Sequence, residues 1–277
     1  MEMEEEIIYK YRVITTWVRQ QIVEMTFSTE EAGAHLGGSL SMVELLTCLY
    51  FGTLKYDPTN PKWEERDRVI LSKGHAALAL YPVLAKVGII EENELKTFKK
   101  DGSRLGGHPS LNGLPGIEVA TGSLGQGLSI GVGMCLALKR KANSKSRVFV
   151  FLGDGECNEG SVWEAAASAS HYKLNQLVAI IDMNSIQYDG STAEIMNMEP
   201  LASKWRDFGW DVKCINGHDI SDVLKAYEIR TDKPLAILAK TIKGKGISFM
   251  ENNPAYHNAA LNTEQYENAM MELEVTG

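Results

Sequence analysis

The sequence predicts an α/β protein built on a doubly wound, mostly parallel sheet with helices on both faces. Short apolar runs alternate with stretches of helical periodicity, and this alternation is typical of a parallel sheet with crossover helices. The runs are nearly continuous in apolar residues, which indicates strands that are covered on both faces. Polar residues and glycines follow several of the runs. Because ligands collect beyond the carboxyl ends of strands in such sheets, the same pattern indicates a ligand site there.

The elements follow from periodicity and from the residues that interrupt it. Strands are predicted in the apolar runs RVILS, RVFVFLG, LVAIIDM, DVKCI and LAILAKT. Helices are predicted where apolar residues recur at helical spacing: 7–27, about 40–51, 76–87, about 126–141, 160–171, 199–208 and 219–230. Residues 101–121 are rich in glycine and proline and predict an ordered surface loop. No linker or repeat divides the chain, so we expect one domain over 1–277 with a short acidic tail from about 262.

Composition excludes several classes of protein. The net charge of −8 argues against a general nucleic-acid-binding surface. No apolar run approaches the ~20 residues of a membrane span, and the first residues, MEMEEEIIYKYR, are acidic where a signal peptide needs a basic start. The cysteines Cys48, Cys135, Cys157 and Cys214 form no CxxC pair and no zinc-like spacing. We therefore expect a cytoplasmic protein with reduced cysteines and no membrane partner.

One acidic residue stands at the end of an apolar run, between two glycines. Asp154 follows VFVFL in the sequence GDG, and Asp-Gly is also a common turn pair, so a turn role is the simpler alternative. Mg²⁺ prefers oxygen ligands, commonly a carboxylate with phosphates and water. Asn184 and a nearby backbone carbonyl, at the end of the next run, could supply further oxygens. The helix after Asp154 would direct its amides at a diphosphate, so the pattern predicts half of a metal–diphosphate site.

Five ordered motifs resemble the amino-terminal, diphosphate-side half of transketolase, which binds thiamine diphosphate. They are SKGHA, GHP, GSLGQG, GDGECNEGSVWEA, and KTIKGKG with a later Tyr-His, and the resemblance covers about residues 10–260. The segment HLGGSLS resembles the two-chain versions more than the long single-chain ones, so the chain resembles the amino-terminal subunit of a split transketolase. It departs from the usual pattern at Ala34, Leu36 and Asn258, where the family commonly has Gly, Pro and Gly.

The resemblance implies a role for each matching position. Asp154, Asn184 and the carbonyl of Ile186 would hold the metal, Mg²⁺ or else Ca²⁺ or Mn²⁺. Cofactor contacts would come from Gly122, Ser123 and Leu124 beside the aminopyrimidine, and from His75, Gly155, Asn184, Lys243 and His257 near the diphosphate. The catalytic histidines would be His35 and His108 in the donor-sugar channel, with His75 and His257 near the reaction centre. Glu159 and Glu164 would lie at an interface that links two active sites. By contrast, His171 and His218 are expected to be structural.

The resemblance also implies an activity and a partner. Transfer of a two-carbon ketol unit from a ketose phosphate to an aldose phosphate would need a second chain, carrying the pyrimidine-side and carboxyl-terminal domains. The working assembly would be a heterotetramer of two plus two chains, inactive without the partner. We expect an apolar, glycine-lined contact face around 120–135 and 155–170.

The sequence leaves three alternatives open, one non-catalytic and two enzymatic. The chain could be a non-catalytic thiamine diphosphate-binding scaffold, or a subunit of a related enzyme, such as one resembling deoxyxylulose phosphate synthase or a transketolase for an unusual ketose. A dinucleotide site at GSLGQG is disfavoured, because the glycines read GxxGxG and no ribose-binding acid is convincingly placed downstream.

Overall fold

Five parallel strands form one sheet in a computed structural model that describes residues 2–141 and 145–275. The strands are β1 (Arg68–Leu71), β2 (Val148–Gly153), β3 (Leu177–Met183), β4 (Asp211–Asn216) and β5 (Leu235–Lys240). Their order across the sheet is β1-β2-β3-β5-β4, and every neighbouring pair is parallel. All five predicted strands are present, and the predicted fold class is confirmed.

Helices cover both faces of this sheet. They are α1 (Glu2–Phe27), α2 (Gly37–Leu40), α3 (Val43–Cys48), α4 (Ala77–Lys86), α5 (Gln126–Arg140), α6 (Gly160–His171), α7 (Thr192–Met196), α8 (Leu201–Asp207), α9 (Ile220–Glu228) and α10 (Thr263–Val275). Alternate residues of β2 enter two separate buried clusters: Phe149 and Phe151 pack with α1, α3, α4 and α9, whereas Val150 and Leu152 pack with α5, α6 and α8. This two-sided burial explains why the central strands are continuously apolar.

Two predicted elements differ in detail. The helix expected over about 40–51 is divided into α2 and α3, followed by a π-type turn over Leu49–Thr53. The division falls at Ser41, whose hydroxyl donates to the buried Asp182 rather than facing solvent. Strand β4 lies at the sheet edge, so Lys213 and Cys214 are exposed and the expectation of burial on both faces was wrong for this strand.

The segment predicted to be an acidic tail from about 262 is a helix that packs on α1. In α10, Ala269 and Leu273 are 0% and 1% exposed, and Tyr266 stacks on Phe27 of α1 with ring centroids 4.3 Å apart. Glu264, Glu267 and Glu274 face solvent. The many acids concealed the short apolar stripe that makes this helix amphipathic, which is why composition was misleading here.

Cys48, Cys135 and Cys157 are buried, Cys214 is exposed, and all four are free of disulfide bonds. Within the described ranges, no helix combines the length and the apolar character needed to cross a membrane. Residues 101–121 contain neither helix nor strand, as the glycine and proline content predicted.

Candidate functional site at the carboxyl edge of the sheet

The two residues predicted to bind metal lie on neighbouring strands. Strands β2 and β3 pair with Gly153 opposite Asp182, and the Asp154 amide donates to the Asp182 carbonyl at 3.2 Å. Asn184 directly follows β3. These segments open onto a cavity of about 310 Å³, whose lining includes Asp154, Gly155, Asn184, Ile186, Leu124, His75, Lys243 and His257. The carboxyl edge of the sheet therefore brings most of the predicted cofactor residues to one place.

A buried ion pair lies beneath this cavity. The Lys73 ammonium donates to the Asp182 carboxylate, and the side chains are only 2% and 0% exposed. Lys73 also donates to the Gly38 carbonyl at 3.0 Å, while Ser41 and Thr241 hydroxyls donate to the two Asp182 oxygens. Burial alone would raise the pKa of Asp182, but Lys73 and these hydrogen bonds hold it below its ordinary value. A full set of donors thus keeps Asp182 ionised inside the protein.

Asp182 also fixes the orientation of Asn184. The Asn184 amide nitrogen donates to Asp182 Oδ2 at 2.9 Å, and Asn184 Oδ1 accepts from the Ile186 amide at 3.1 Å. Because an ionised carboxylate can only accept, the nitrogen of Asn184 must face Asp182 and its oxygen is turned away. The side chain therefore presents an oxygen, the atom that a magnesium-like ion prefers.

Asp154 is a partly buried carboxylate held by backbone amides. Its oxygens accept hydrogen bonds from Ser185 at 2.6 Å and Gly155 at 2.8 Å. Burial and the charge of Asp182 raise the pKa of Asp154 to about 6. In the described part of the chain, no lysine, arginine or histidine forms an ion pair with it. A carboxylate in this setting would be stabilised by a bound cation.

The donor set fits a divalent metal that is shared with a ligand. Asp154, Asn184 and the Ile186 carbonyl are all oxygen donors, as Mg²⁺ requires. No group of three or more His, Cys, Asp or Glu side chains could hold a metal by itself anywhere in residues 2–141 and 145–275. The remaining ligands would have to come from phosphate oxygens or water, which is the usual arrangement for Mg²⁺ bound with a diphosphate.

The four histidines predicted to be catalytic are brought together. The His35 ring centroid lies 5.6 Å from His75, 5.4 Å from His108 and 5.6 Å from His257, and His75 lies 5.4 Å from His257. Burial and the nearby cationic groups lower the pKa of His35 to about 4 and that of His257 to about 3. The same causes lower the pKa of His75 and His108. At neutral pH the four imidazoles of the cluster are therefore uncharged.

Lys243 connects the histidine cluster to the metal donors. Its ammonium donates to the Ile186 carbonyl and contacts His257 Nδ1, both at 2.8 Å. Burial and Lys73 lower the pKa of Lys243 to about 8, so it stays mostly protonated at neutral pH. A protonated Lys243 makes His257 Nδ1 an acceptor, which places the histidine proton on Nε2.

The predicted structural role of His218 agrees with its contacts. His218 Nε2 accepts from the Ile242 amide at 2.8 Å, and Nδ1 pairs with the buried Glu44 at 2.9 Å. The ring thus holds the backbone immediately before Lys243. The other histidine expected to be structural, His171, is exposed at the end of α6 and contacts Tyr172.

A glycine turn lies against the histidine cluster, at the ring of His108. Gly122 has φ +147°, and a Cβ added there would come within 3.1 Å of the His108 ring. Leu124 lines the cavity, and Ser123 is exposed. At Gly155 an added Cβ would lie 2.6 Å from the Gln187 side chain. Glycine at both positions allows close approach of backbone to its neighbours.

The sequence reasoning missed several residues of this site. Lys73, Asp182 and Glu156 are all almost fully buried and were not singled out. Asp182 had a signal, since it is the only charged residue within the apolar run LVAIIDM. No feature of the sequence pointed to Tyr188, which is 67% exposed and packs edge-on against His257.

The predicted contact face carries small, polar and partly exposed apolar residues. Glu159 and Glu164 are exposed, as an interface role would need. However, none of the large hydrophobic side chains that are exposed in the described ranges falls within 120–135 or 155–170. The fully exposed positions there are small or polar, including Ser123 and Gly133, and the apolar side chains of Ile130, Met134 and Trp163 are only partly exposed. The contact face therefore stays a prediction.

Replacing Lys73 should strongly destabilise the fold. In Lys73→Met the Asp182 carboxylate keeps its burial but loses its counter-charge, and we expect a loss of ~3–5 kcal/mol in the free energy of unfolding. Denaturant unfolding measures this, with Lys100→Met, an exposed lysine, as a control expected to change by less than about 0.5 kcal/mol. The double variant Lys73→Met/Asp182→Asn should recover part of the loss. Equal stability of Lys73→Met and wild type would contradict the importance of this ion pair.

Comparison with known proteins agrees with the geometry. Residues 16–275 match the family described as "Transketolase, thiamine diphosphate binding domain". The chain is 42% identical over 259 residues to an apulose-4-phosphate transketolase subunit of Phocaeicola vulgatus, covering 92% of this chain and 90% of that protein. It is 46% identical over 246 residues to the 6-deoxy-6-sulfo-D-fructose transketolase subunit SqwG of Clostridium sp., covering 88% and 89%.

A solved transketolase structure has the same fold as this chain. Transketolase of Campylobacter jejuni superposes with a TM-score of 0.87 at 30% sequence identity, covering 97% of this chain. This chain corresponds to only 43% of that longer one. With the family match, the close relatives and the parallel sheet all in agreement, this chain belongs to the transketolase thiamine diphosphate-binding domain family.

Proposed function

We propose that the chain is the amino-terminal subunit of a two-chain transketolase, which transfers a two-carbon ketol unit from a ketose phosphate to an aldose phosphate. The observation that carries the proposal is that an oxygen donor set, His75 and His257 line one cavity. His35 packs against both of these histidines and against His108. Oxygen donors suit a metal–diphosphate group, and neutral histidines suit proton transfer among sugar hydroxyls. Family membership supports the same reaction.

Thiamine diphosphate would be held through its diphosphate and an Mg²⁺ ion, with Ca²⁺ or Mn²⁺ as substitutes. Asp154, Asn184 and the Ile186 carbonyl would bind the metal, and Lys243 would lie beside the diphosphate. Gly122, Ser123 and Leu124 would border the aminopyrimidine. When bound, the cofactor supplies a carbon nucleophile that also stores the electrons of the broken carbon–carbon bond.

The histidines would handle the protons of this chemistry. His35 and His108 are neutral at pH 7, so each can accept a hydroxyl proton from a donor sugar. His257 presents its Nε2–H because Nδ1 accepts from Lys243, so it would donate a hydrogen bond to a sugar or phosphate oxygen. His75 is mostly enclosed between Gly38 and His257 and would orient these groups.

A second chain would complete the active site. Two relatives are named as transketolase subunits, which supports a partner that carries the pyrimidine-side and carboxyl-terminal domains. We propose two copies of each chain, with Glu159 and Glu164 at the interface and this chain as a single diphosphate-side domain. The free cysteines support a cytoplasmic location.

The sugar is the open part of the proposal. A role in the pentose phosphate pathway would use common ketose phosphates, whereas the two relatives are named for apulose 4-phosphate and 6-deoxy-6-sulfofructose. These names favour an unusual ketose as the second candidate. Turnover of the assembled two-chain protein, measured with a panel of ketose donors, separates the two candidates. Absence of turnover by that assembly with every donor would favour a non-catalytic scaffold.

Asp154 should be required for metal-dependent cofactor binding. In Asp154→Ala the affinity for thiamine diphosphate with Mg²⁺ should fall by about 100-fold or more, above the 10–100-fold typical of residues that only support a metal ligand. Calorimetric titration of the assembled two-chain protein measures this. Asp189→Ala, at an exposed acid on the same cavity, should change affinity by only about threefold. Unchanged affinity in Asp154→Ala would remove this residue from the metal site.

His35 and His108 should matter for turnover more than for cofactor binding. Alanine at either position should lower kcat by ~10²-fold or more if the residue transfers a proton. Steady-state kinetics with saturating cofactor measures this, and His171→Ala, at an exposed helix end, is the matched control. A loss of only a few-fold would assign both residues a structural role.

The isolated chain should be inactive. Purified alone, it should bind cofactor weakly and show no ketol transfer, because the pyrimidine-side residues would be on the second chain. Co-expression with the matching second chain should restore turnover in an assembly of two plus two chains, measured by coupled assay and native mass spectrometry. Full turnover with no partner detectable would refute the two-chain proposal.

A further inference from the structure

Glu156 is a buried carboxylate that joins three separate turns around the cavity. It is 2% exposed and lies in the short 3₁₀ turn Gly155–Asn158, two residues after Asp154. Its Oε2 accepts from the Gly153 amide at 3.1 Å, in the turn that carries Asp154. Its Oε1 accepts from the Gly125 amide at 2.8 Å and from the Ser72 hydroxyl. One side chain therefore bonds to the ends of β1 and β2 and to the start of α5.

Ser72 extends this connection to a second amide of the same helix. While its hydroxyl donates to Glu156, the same oxygen accepts from the Gly127 amide at 3.1 Å. Gly125 precedes the first residue of the 15-residue helix α5 and has φ +81°. Glu156 and Ser72 thus satisfy amides at the start of α5, where free N–H groups and the helix dipole favour a negative charge.

The backbone at the start of α5 packs so closely against Ser72 and Glu159 that no side chain fits between them. A Cβ added at Gly127 would lie 2.4 Å from the Ser72 Cβ, and one added at Gly125 would lie 2.6 Å from the Glu159 Cβ. With so little room, the separation of the turns depends on the backbone hydrogen bonds that Glu156 receives. Every partner of its carboxylate is a donor, so a group that also donates cannot replace it without repulsion.

We propose that Glu156 is a positioning residue, which fixes the turn Gly122–Gln126 relative to the turn Gly153–Gly155. Building on the proposed function, the first turn would border the aminopyrimidine and the second would carry the metal-binding Asp154. A cofactor that must contact both turns at once binds well only if their separation is correct. Glu156 therefore contributes to cofactor affinity by acting through Gly125 and Gly153.

The test compares Glu156→Gln with wild type by two measurements. The amide nitrogen of glutamine would face either the Gly153 amide or the Gly125 amide and the Ser72 hydroxyl. Hydrogen exchange should therefore be at least about tenfold faster at Gly153 in the first case, or at Gly125 and Gly127 in the second. Hydrogen exchange is measured on the full chain without cofactor. In the assembled two-chain protein with Mg²⁺, the Kd for thiamine diphosphate should rise about tenfold or more.

The matched control is Glu118→Gln. Glu118 is also largely buried, with a 14% exposed side chain, and it pairs with Arg66 just before the start of β1, away from the cavity. This variant should lose stability without changing exchange at Gly125 and Gly127, and its Kd should stay within about twofold of wild type. If Glu156→Gln does not fold, Ser72→Ala provides the second variant, with faster exchange at Gly127 as the expected result.

The two measurements separate this proposal from the proposed function. Wild-type exchange rates at Gly125, Gly127 and Gly153 together in Glu156→Gln would overturn the positioning role, whatever the protein binds. An equal loss of affinity in Glu156→Gln and Glu118→Gln would also overturn it, because general destabilisation would then account for the effect. Failure of the wild-type assembly to bind thiamine diphosphate would instead refute the proposed function, and the exchange result would still decide the role of Glu156 in the turns.

Discussion

The buried ion pair between Lys73 and Asp182 is the constraint on which the site depends. Two charges removed from water are stable only when their partners are held in place, and here those partners come from four different segments of the chain. Gly38, Ser41 and Thr241 all bond to the pair, so helix α2 with the residue that follows it, the ends of β1 and β3, and the end of β5 meet at one point. The carboxyl edge of the sheet is thereby organised around a carboxylate that no ligand needs to touch.

Two buried acids, Asp182 and Glu156, position different parts of the cavity. Asp182 orients the Asn184 amide so that its oxygen is available, while Glu156 receives amides from the glycine turns on either side. Asp154, by contrast, accepts from only two backbone amides and is partly exposed to the cavity, while burial raises the pKa of Asp154 and of Glu156 alike. The first two carboxylates are satisfied by the protein itself, and the third is the one left to gain from a cation. This contrast is the physical basis for assigning Asp154 to a metal.

The sequence predicted only part of the fold. It located the strands of the sheet, but it did not give their order across the sheet. Continuous apolar runs are recognisable in sequence because parallel strands are buried on both sides, and all five were found. Strand β4 is the exception: as an edge strand it is half exposed, and the polar residues Asp211 and Lys213 within its run were the sign of this. Helix α10 was missed for the opposite reason, since its buried stripe of Ala269 and Leu273 is outnumbered by acids.

By itself the sequence determined the parallel α/β architecture, the ordered motifs and the residue types at the strand ends, because these are local properties of short segments. The tertiary structure decided which of those ends meet. Lys73 and Asp182 are 109 residues apart in the chain, and Ser72 and Glu156 are 84 apart. Their pairing follows from the placement of β1, β2 and β3 side by side, which no local pattern specifies. Long-range neighbours surround each buried acid, and so only the fold could distinguish the carboxylates that support the site from Asp154, the one proposed to bind metal.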